Sequence, residues 1–179
     1  MTQPLNLAEL AAKAYRASQD PWELGVLLDM IRNTIRPRLM LEIGSWYGGS
    51  LFAWASIGVD VIAVTLPETR DFLEDGHQWG ATMVYGNSHD AEMLTRIPEA
   101  AAGRKIDFAF IDGDHSEQGC RDDFGLCVTL GIPVIGFHDI DGTGDPGVRK
   151  VWDELAARFR HAVILNPCEK PVGTGIIWL

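Results

Sequence analysis

The stretch Leu39–Phe52, LMLEIGSWYGGSLF, constrains this chain more than any other. Leu39, Met40, Leu41 and Ile43 predict a buried strand, Gly44, Gly48 and Gly49 a turn, and Ser50 the start of a helix. A strand feeding a glycine turn and then a helix offers backbone N–H groups and a positive helix end to a ligand. The glycines permit positive φ and let a ligand approach the main chain closely. Glu42 falls at the strand's C-terminal end, where open α/β sheets bind ligands. The spacing is not G-x-G-x-x-G and no Lys follows the glycines, so neither a dinucleotide fingerprint nor a Walker loop is met. Taken alone, the stretch serves equally well as a structural corner.

The flanking sequence supplies the frame. Residues 5–18 predict an amphipathic helix, with Leu7, Leu10, Ala11, Ala14 and Tyr15 on one side. Asp20-Pro21 marks the start of a second helix over Trp22–Ile35, which Arg36-Pro37 ends. Further strands are expected at Val59–Leu66, Ala81–Tyr85, Ile106–Ile111, Ile132–Phe137, Ala162–Leu165 and Thr174–Leu179. Helices are expected at Ser50–Ile57, at Asp90–Ile97 with Pro98 as its stop, at Glu117–Leu130 and at Val148–Arg160, with 67–78 helical or loop. Strands alternating with helices imply right-handed crossovers and a mostly parallel sheet. The last two strands have no helix between them and should pair as a hairpin, making one antiparallel edge. The expectation is one α/β domain over 1–179, with helices in 1–36 covering a core at 38–179.

A net charge of −10 disfavours binding to nucleic acid, where affinity comes from Lys and Arg. Cys120, Cys127 and Cys168 form no C-x-x-C pair and suit free thiols in a reducing cytoplasm. The opening MTQPLNLAEL shows no signal-peptide pattern, and no apolar run approaches a bilayer span. A cytoplasmic protein without a membrane partner is expected. Trp22, Trp54, Trp152 and Trp178 are expected in the core, and His77, His89 and His161 at the surface.

Every polar cluster follows a strand: 42–50, 65–68, 87–89, 112–115 and 138–141. In a parallel sheet these tips share one edge, so the clusters converge on one rim. Loops are polar in general, yet the loop 98–105 at the other end carries only Ala, Gly and a few charges.

E-x-G-x-x-x-G-G-S at 42–50 resembles the first motif of class I S-adenosylmethionine-dependent methyltransferases. F-I-D-G-D-H-S-x-x-x-x-x-x-D from Phe110 to Asp123, with F-H-D at 137–139, resembles a metal-dependent small-molecule O-methyltransferase subgroup, that of the macrolide-sugar and cephalosporin-biosynthesis enzymes. The similarity covers about 38–152. It implies a Rossmann-like α/β fold with a seven-stranded, mostly parallel sheet, one antiparallel C-terminal strand and helices on both faces. It implies that Glu42, Gly44, Ser45, Gly48, Gly49 and Ser50 line the methionine end of S-adenosylmethionine. Asn87 and Ser88 would lie near the adenine and Thr65 near the ribose, with Asp112 beside the cofactor. Trp46 and Tyr47, inside the glycine turn, serve equally well to close over the cofactor, to wall the substrate or to pack against the N-terminal helices. The usual acid after the second strand is absent; Thr65-Leu66-Pro67-Glu68 stands there.

The resemblance also implies a divalent ion, Mg²⁺ in those enzymes, on Asp112 and Asp139, with His138 at the place of a second acid. Mg²⁺ prefers oxygen ligands, so a His there favours a metal that accepts imidazole. His115 stands where those relatives have a general base, and an imidazole can take a hydroxyl proton at neutral pH. The plain alternatives are turn formation or helix capping for Asp112, a hydrogen bond to the rim for His138, and solvent exposure or helix capping for His115. Two other functions stay open: a non-catalytic module binding S-adenosylmethionine or a nucleoside, and a metal-dependent hydrolase. The expected substrate is a small molecule. The short chain leaves its pocket to be completed by the N-terminal helices, the loop 142–147 or the second subunit of a homodimer.

Overall fold

The computed structural model describes residues 7–71, 78–142, 146–167 and 172–179. The start of the first expected helix, His77, Cys168 and the middle of the 142–147 loop lie outside the described residues. The strands are β1 (Leu39–Ile43), β2 (Asp60–Thr65), β3 (Thr82–Tyr85), β4 (Phe108–Ile111), β5 (Val134–His138), β6 (Arg160–Ile164) and β7 (Thr174–Trp178). The helices are α1 (Leu7–Tyr15), α2 (Pro21–Met30), α3 (Gly49–Ser56), α4 (Met93–Ala101), α5 (Glu117–Thr129) and α6 (Pro146–Ala156). All seven strands form one sheet in the order β3-β2-β1-β4-β5-β7-β6.

Strands β1 to β5 run parallel, and β7 is antiparallel to both β5 and β6. The single antiparallel strand is as expected, but it lies inside the sheet and β6 forms the edge. Burial explains the exchange. The apolar β7, TGIIW, is buried along its first four residues, whereas β6 is mostly exposed. An apolar strand gains more from two neighbours than an amphipathic one.

Strands β1, β4 and β5 are buried throughout. Alternation along β1 divides the core in two. Leu39, Leu41 and Ile43 pack with Met93 and Ile97 of α4, Cys127 of α5 and Val151 of α6. Met40, on the other face, packs with Ala11 of α1, Leu27 of α2 and Trp54 of α3. Helices thus cover both faces, three on each.

Asp20 caps α2, its carboxylate accepting from the N–H groups of Trp22 and Glu23 at 3.0 Å. The helical path continues through a π turn at Ile31–Ile35 and stops at Arg36 in the left-handed region. Pro98 does not stop α4, which runs on to Ala101. Met93, Ile97 and Ala101 bury one stripe, and that burial outweighs the donor lost at proline. Trp22 is half exposed on the first turn of α2, against expectation, while Trp54 and Trp152 are buried. Trp79 packs edge-on against Tyr15 and Phe52, at 4.8 and 5.0 Å between ring centroids. Among the described residues, no helix is long and apolar enough to cross a membrane.

Register brings the parallel strand tips level. Ile43 pairs with Val64 and Ile111, and Ile111 with Phe137. Backbone bonds carry the ladder one step further, from Gly44 N to Val64 O, Asp112 N to Ile43 O and Gly86 N to Thr65 O, each 2.9 Å. The residues after β1, β2, β3, β4 and β5 therefore share one rim.

Candidate active site

Asp112 follows β4, His138 ends β5 and Asp139 follows it. The ligand atoms of these three side chains lie within 4.8 Å of one another. His138 Nδ1 is 3.1 Å from Asp112 Oδ1 and 3.4 Å from Asp139 Oδ2. His115, three residues beyond Asp112, spans both carboxylates: Nε2 is 3.3 Å from Asp112 Oδ1 and Nδ1 is 3.2 Å from Asp139 Oδ2. Gln19, in the loop between α1 and α2, donates from Nε2 to Asp112 Oδ2 at 2.5 Å.

Backbone detail makes this convergence possible. Asp139 adopts φ +59°, a conformation that costs a non-glycine residue about 1–3 kcal/mol unless its surroundings impose it. Here Ile140 and Asp141 donate to Gly173 and Val172, holding the turn against the start of β7. Asp114 points elsewhere, accepting from Ser116 N, and Ser116 caps α5 through Gly119 N. Gly44 has φ +92°, and a Cβ there would overlap the carbonyl oxygen of Asp112. Gly44→Ala should therefore cost about 3 kcal/mol or more, read as a fall in the urea midpoint. An unchanged midpoint would mean that the turn is not held against Asp112.

The cluster sets its own charge states. Burial alone would raise Asp112, but His138 and His115 overcome it and hold the carboxyl at about 2. Burial alone would lower His138, but Asp112 and Asp139 push it up to about 10. The hydrogen bond to Asp112 raises His115, burial opposes this, and Asp139 adds to it. The sign of each stability contribution follows. That of Asp112 is present above its ordinary value near 4 and is lost as pH falls through about 2. That of His138 is present below 6.5 and is lost as pH rises through about 10. Melting temperature measured from pH 6.5 to 10 should fall in wild type and stay flatter in His138→Asn; parallel curves would contradict the pairing.

Two cavities flank the Gly44 turn and share Gly44, Trp46, Asp112 and Gly113. The larger, about 320 Å³, lies over the tips of β1, β2 and β3 and is lined by Thr65, Thr69, Asn87, Ser88 and His89 among others. The smaller, about 180 Å³, lies over the acid–imidazole cluster and is walled by 16–19, Ser45, Tyr47, Gly49 and Ser50. Of the expected cofactor residues, Glu42 and Gly48 line neither cavity. Glu42 is fully buried, accepts from Trp54 Nε1 at 2.8 Å, and is pushed up to about 7 by burial. Gly48 caps α3 with φ +79°. Gly49 also serves the packing of α1: a Cβ there would overlap Ala17 N and Tyr15 O.

Several site residues escape sequence reasoning. Gln19 and Arg16 come from the loop between the first two helices, which no strand-tip pattern marks. Arg16 lies 4.7 Å above the Tyr47 ring. Thr69 Oγ1 is 2.9 Å from Thr65 Oγ1, so two hydroxyls stand where the usual acid is absent. His89, expected at the surface, turns its ring toward buried Asp123. Its place in the 87–89 cluster was the available signal.

A methyltransferase-domain family model matches residues 41–140. The chain belongs to this methyltransferase family. A comparison with curated proteins finds no match. Among solved structures, an O-methyltransferase from Bacillus cereus in complex with SAH is 20% identical, with TM-score 0.67, covering 100% of this chain and 93% of that one. The O-methyltransferase TomG from Streptomyces achromogenes, in complex with SAM, is 17% identical, with TM-score 0.67 and coverage of 99% and 90%. MycE, a methyltransferase of the mycinamycin pathway in complex with Mg, SAH and mycinamycin VI, is 17% identical, with TM-score 0.63 and coverage of 97% and 53%. At these identities the likeness establishes the methyltransferase fold.

Proposed function

We propose that this methyltransferase uses S-adenosylmethionine to methylate a hydroxyl of a small molecule, with a divalent ion beside the acceptor. The observation that carries the reading is His115 held between Asp112 and Asp139, at the wall of the smaller cavity. The donor set fits a metal: two carboxylates and one imidazole converge within 4.8 Å, and an ion bound there would displace the proton that His138 otherwise holds. Because one donor is nitrogen, the set suits Mn²⁺ or another ion that accepts imidazole better than Mg²⁺. The adjoining cavities fit an elongated cofactor, and the larger reaches the size range of ligand sites.

S-adenosylmethionine supplies an electrophilic methyl group, and a divalent ion on Asp112, His138 and Asp139 would lower the pKa of an acceptor hydroxyl. The chain's own groups do the rest. Ser45 and Ser50 face the methionine end of the cofactor, and the wall at 16–19 confines the acceptor beside the cluster. Gln19 fixes Asp112, and the carboxylates orient the His115 ring. Neutral His115 takes the acceptor's proton as the oxygen attacks. Positioning of this kind is worth roughly 7–11 kcal/mol in favourable cases. Thr65 and Thr69 offer hydroxyls to the ribose in place of the absent acid.

The test is transfer of labelled methyl from S-adenosylmethionine to a panel of small-molecule hydroxyl compounds, with Mn²⁺, with Mg²⁺ and with chelator. Labelled ether that disappears with chelator is expected. Cofactor binding with no transfer to any acceptor would contradict the enzymatic reading and favour a binding module.

A further inference from the structure

A third acid bears on the cluster without touching it. Glu23, on the first turn of α2, is fully buried. Its Oε1 accepts from Asn166 N and its Oε2 from Gly173 N, each at 2.8 Å. A carboxylate taken out of water is costly unless charge-assisted hydrogen bonds offset it. Here two backbone donors do so, one at each end of the connection between β6 and β7. Asp20, which caps α2, meets the same connection through Asn166 Nδ2 at 3.0 Å, whereas Glu23 also bonds Gly173.

Gly173 works in two directions. Its N–H donates to Glu23, and its carbonyl accepts from Ile140 N at 3.2 Å. Ile140 directly follows Asp139. The β5–β7 ladder ends at the pair His138–Thr174, and the ends of elements open most easily. Past that last rung, Asp139 turns into the left-handed region at φ +59° and brings Oδ2 to His115 and His138. A non-glycine residue keeps such a conformation only where its surroundings impose it. The bond from Ile140 imposes it, and that bond is only as firm as the Gly173 peptide. Gly173, itself at φ +82°, is fastened by the buried carboxylate.

We infer that Glu23 is a positioning residue of the metal site: through Gly173 and Ile140 it holds Asp139 in the turn that makes its carboxylate the third donor. The inference rests on the metal reading above. Glu23→Gln keeps the volume but sets an amide N–H against one of the two backbone donors. Glu23→Asp keeps the charge and is one methylene too short to reach both. Asp20→Ser keeps a helix cap and withdraws from Asn166, leaving the bond to Gly173 in place.

The experiment titrates wild type and these variants calorimetrically with Mn²⁺ and with S-adenosylhomocysteine, checks folding by circular dichroism, and follows amide hydrogen exchange at Ile140. Glu23→Gln should weaken Mn²⁺ binding about tenfold, the lower end of the range for losing a group that orients a metal ligand, and should speed exchange at Ile140. Affinity for S-adenosylhomocysteine should stay within about twofold, the scale of effects between independent sites, because its cavity is built on the tips of β1, β2 and β3. A purely structural role would not separate the two affinities. Asp20→Ser should match wild type in both. Should Glu23→Gln fail to fold, Glu23→Asp decides, with the same losses expected. Wild-type Mn²⁺ affinity or unaltered Ile140 exchange in the Glu23 variants, or an equal loss in Asp20→Ser, overturns the inference and leaves the metal reading standing. Failure of wild type to bind Mn²⁺ overturns both.

Discussion

Asp112→Ala should reduce methyl transfer by about 10³-fold or more, the scale of removing a preorganised charged group that faces the reacting centre. Asp112 is the hub of the site: Gln19, His115 and His138 all contact its carboxylate. Removing it strips one oxygen from the donor set, frees His115 to turn, and leaves His138 buried with a single carboxylate partner. Two readouts should change together. Steady-state kcat/KM should collapse, and a calorimetric titration with Mn²⁺ should lose its saturable phase. The stability difference between wild type and Asp112→Ala should be full above pH 4 and shrink as pH falls through about 2, where the contribution of Asp112 is lost. Retained Mn²⁺ binding in Asp112→Ala would place the ion elsewhere and remove Asp112 from the mechanism.

His115→Ala should lower kcat by about 10²- to 10⁴-fold, the range for loss of a positioned general base. The pH profile separates this from a packing effect. His115 is raised above its ordinary value, first by its hydrogen bond to Asp112 and further by Asp139. The neutral form is the base, so wild-type kcat/KM should climb with pH through that raised value. In His115→Ala that climb should disappear, and activity should depend on hydroxide or on ionisation of the acceptor alone. His115→Gln keeps a polar side chain of similar reach and should be equally slow. A variant that keeps the wild-type profile would assign the proton to another group.

The fold was legible because its signals are local and repeated. The apolar runs of β1, β4 and β5 and the glycines that follow β1 each specify their own structure, and strand–helix alternation specifies parallel pairing. The position of β7 was not legible, because hairpin adjacency in sequence competes with burial, and burial is decided by which strand neighbours β5. Pro98 misled for a related reason: a local penalty was outweighed by a buried stripe that forms only once α4 meets the sheet.

At the site, Asp112, His115, His138 and Asp139 were legible as residues at strand tips, since a parallel sheet brings its tips to one rim. Their mutual geometry was not, because it depends on the left-handed turn at Asp139 and on Gly173 holding it. Gln19 and Arg16 were invisible, as helix packing rather than strand order delivers their loop to the rim. Glu42 shows the converse. A carboxylate at the end of β1 reads as a ligand contact, yet Trp54 on α3 claims it and the turn above closes it off.

A crystal structure with S-adenosylhomocysteine and Mn²⁺ should show nucleoside density in the cavity over β1, β2 and β3, its sulfur turned towards His115, and an anomalous Mn²⁺ peak on Asp112, His138 and Asp139. Nucleoside density outside that cleft, or a metal peak away from those three side chains, would contradict this arrangement.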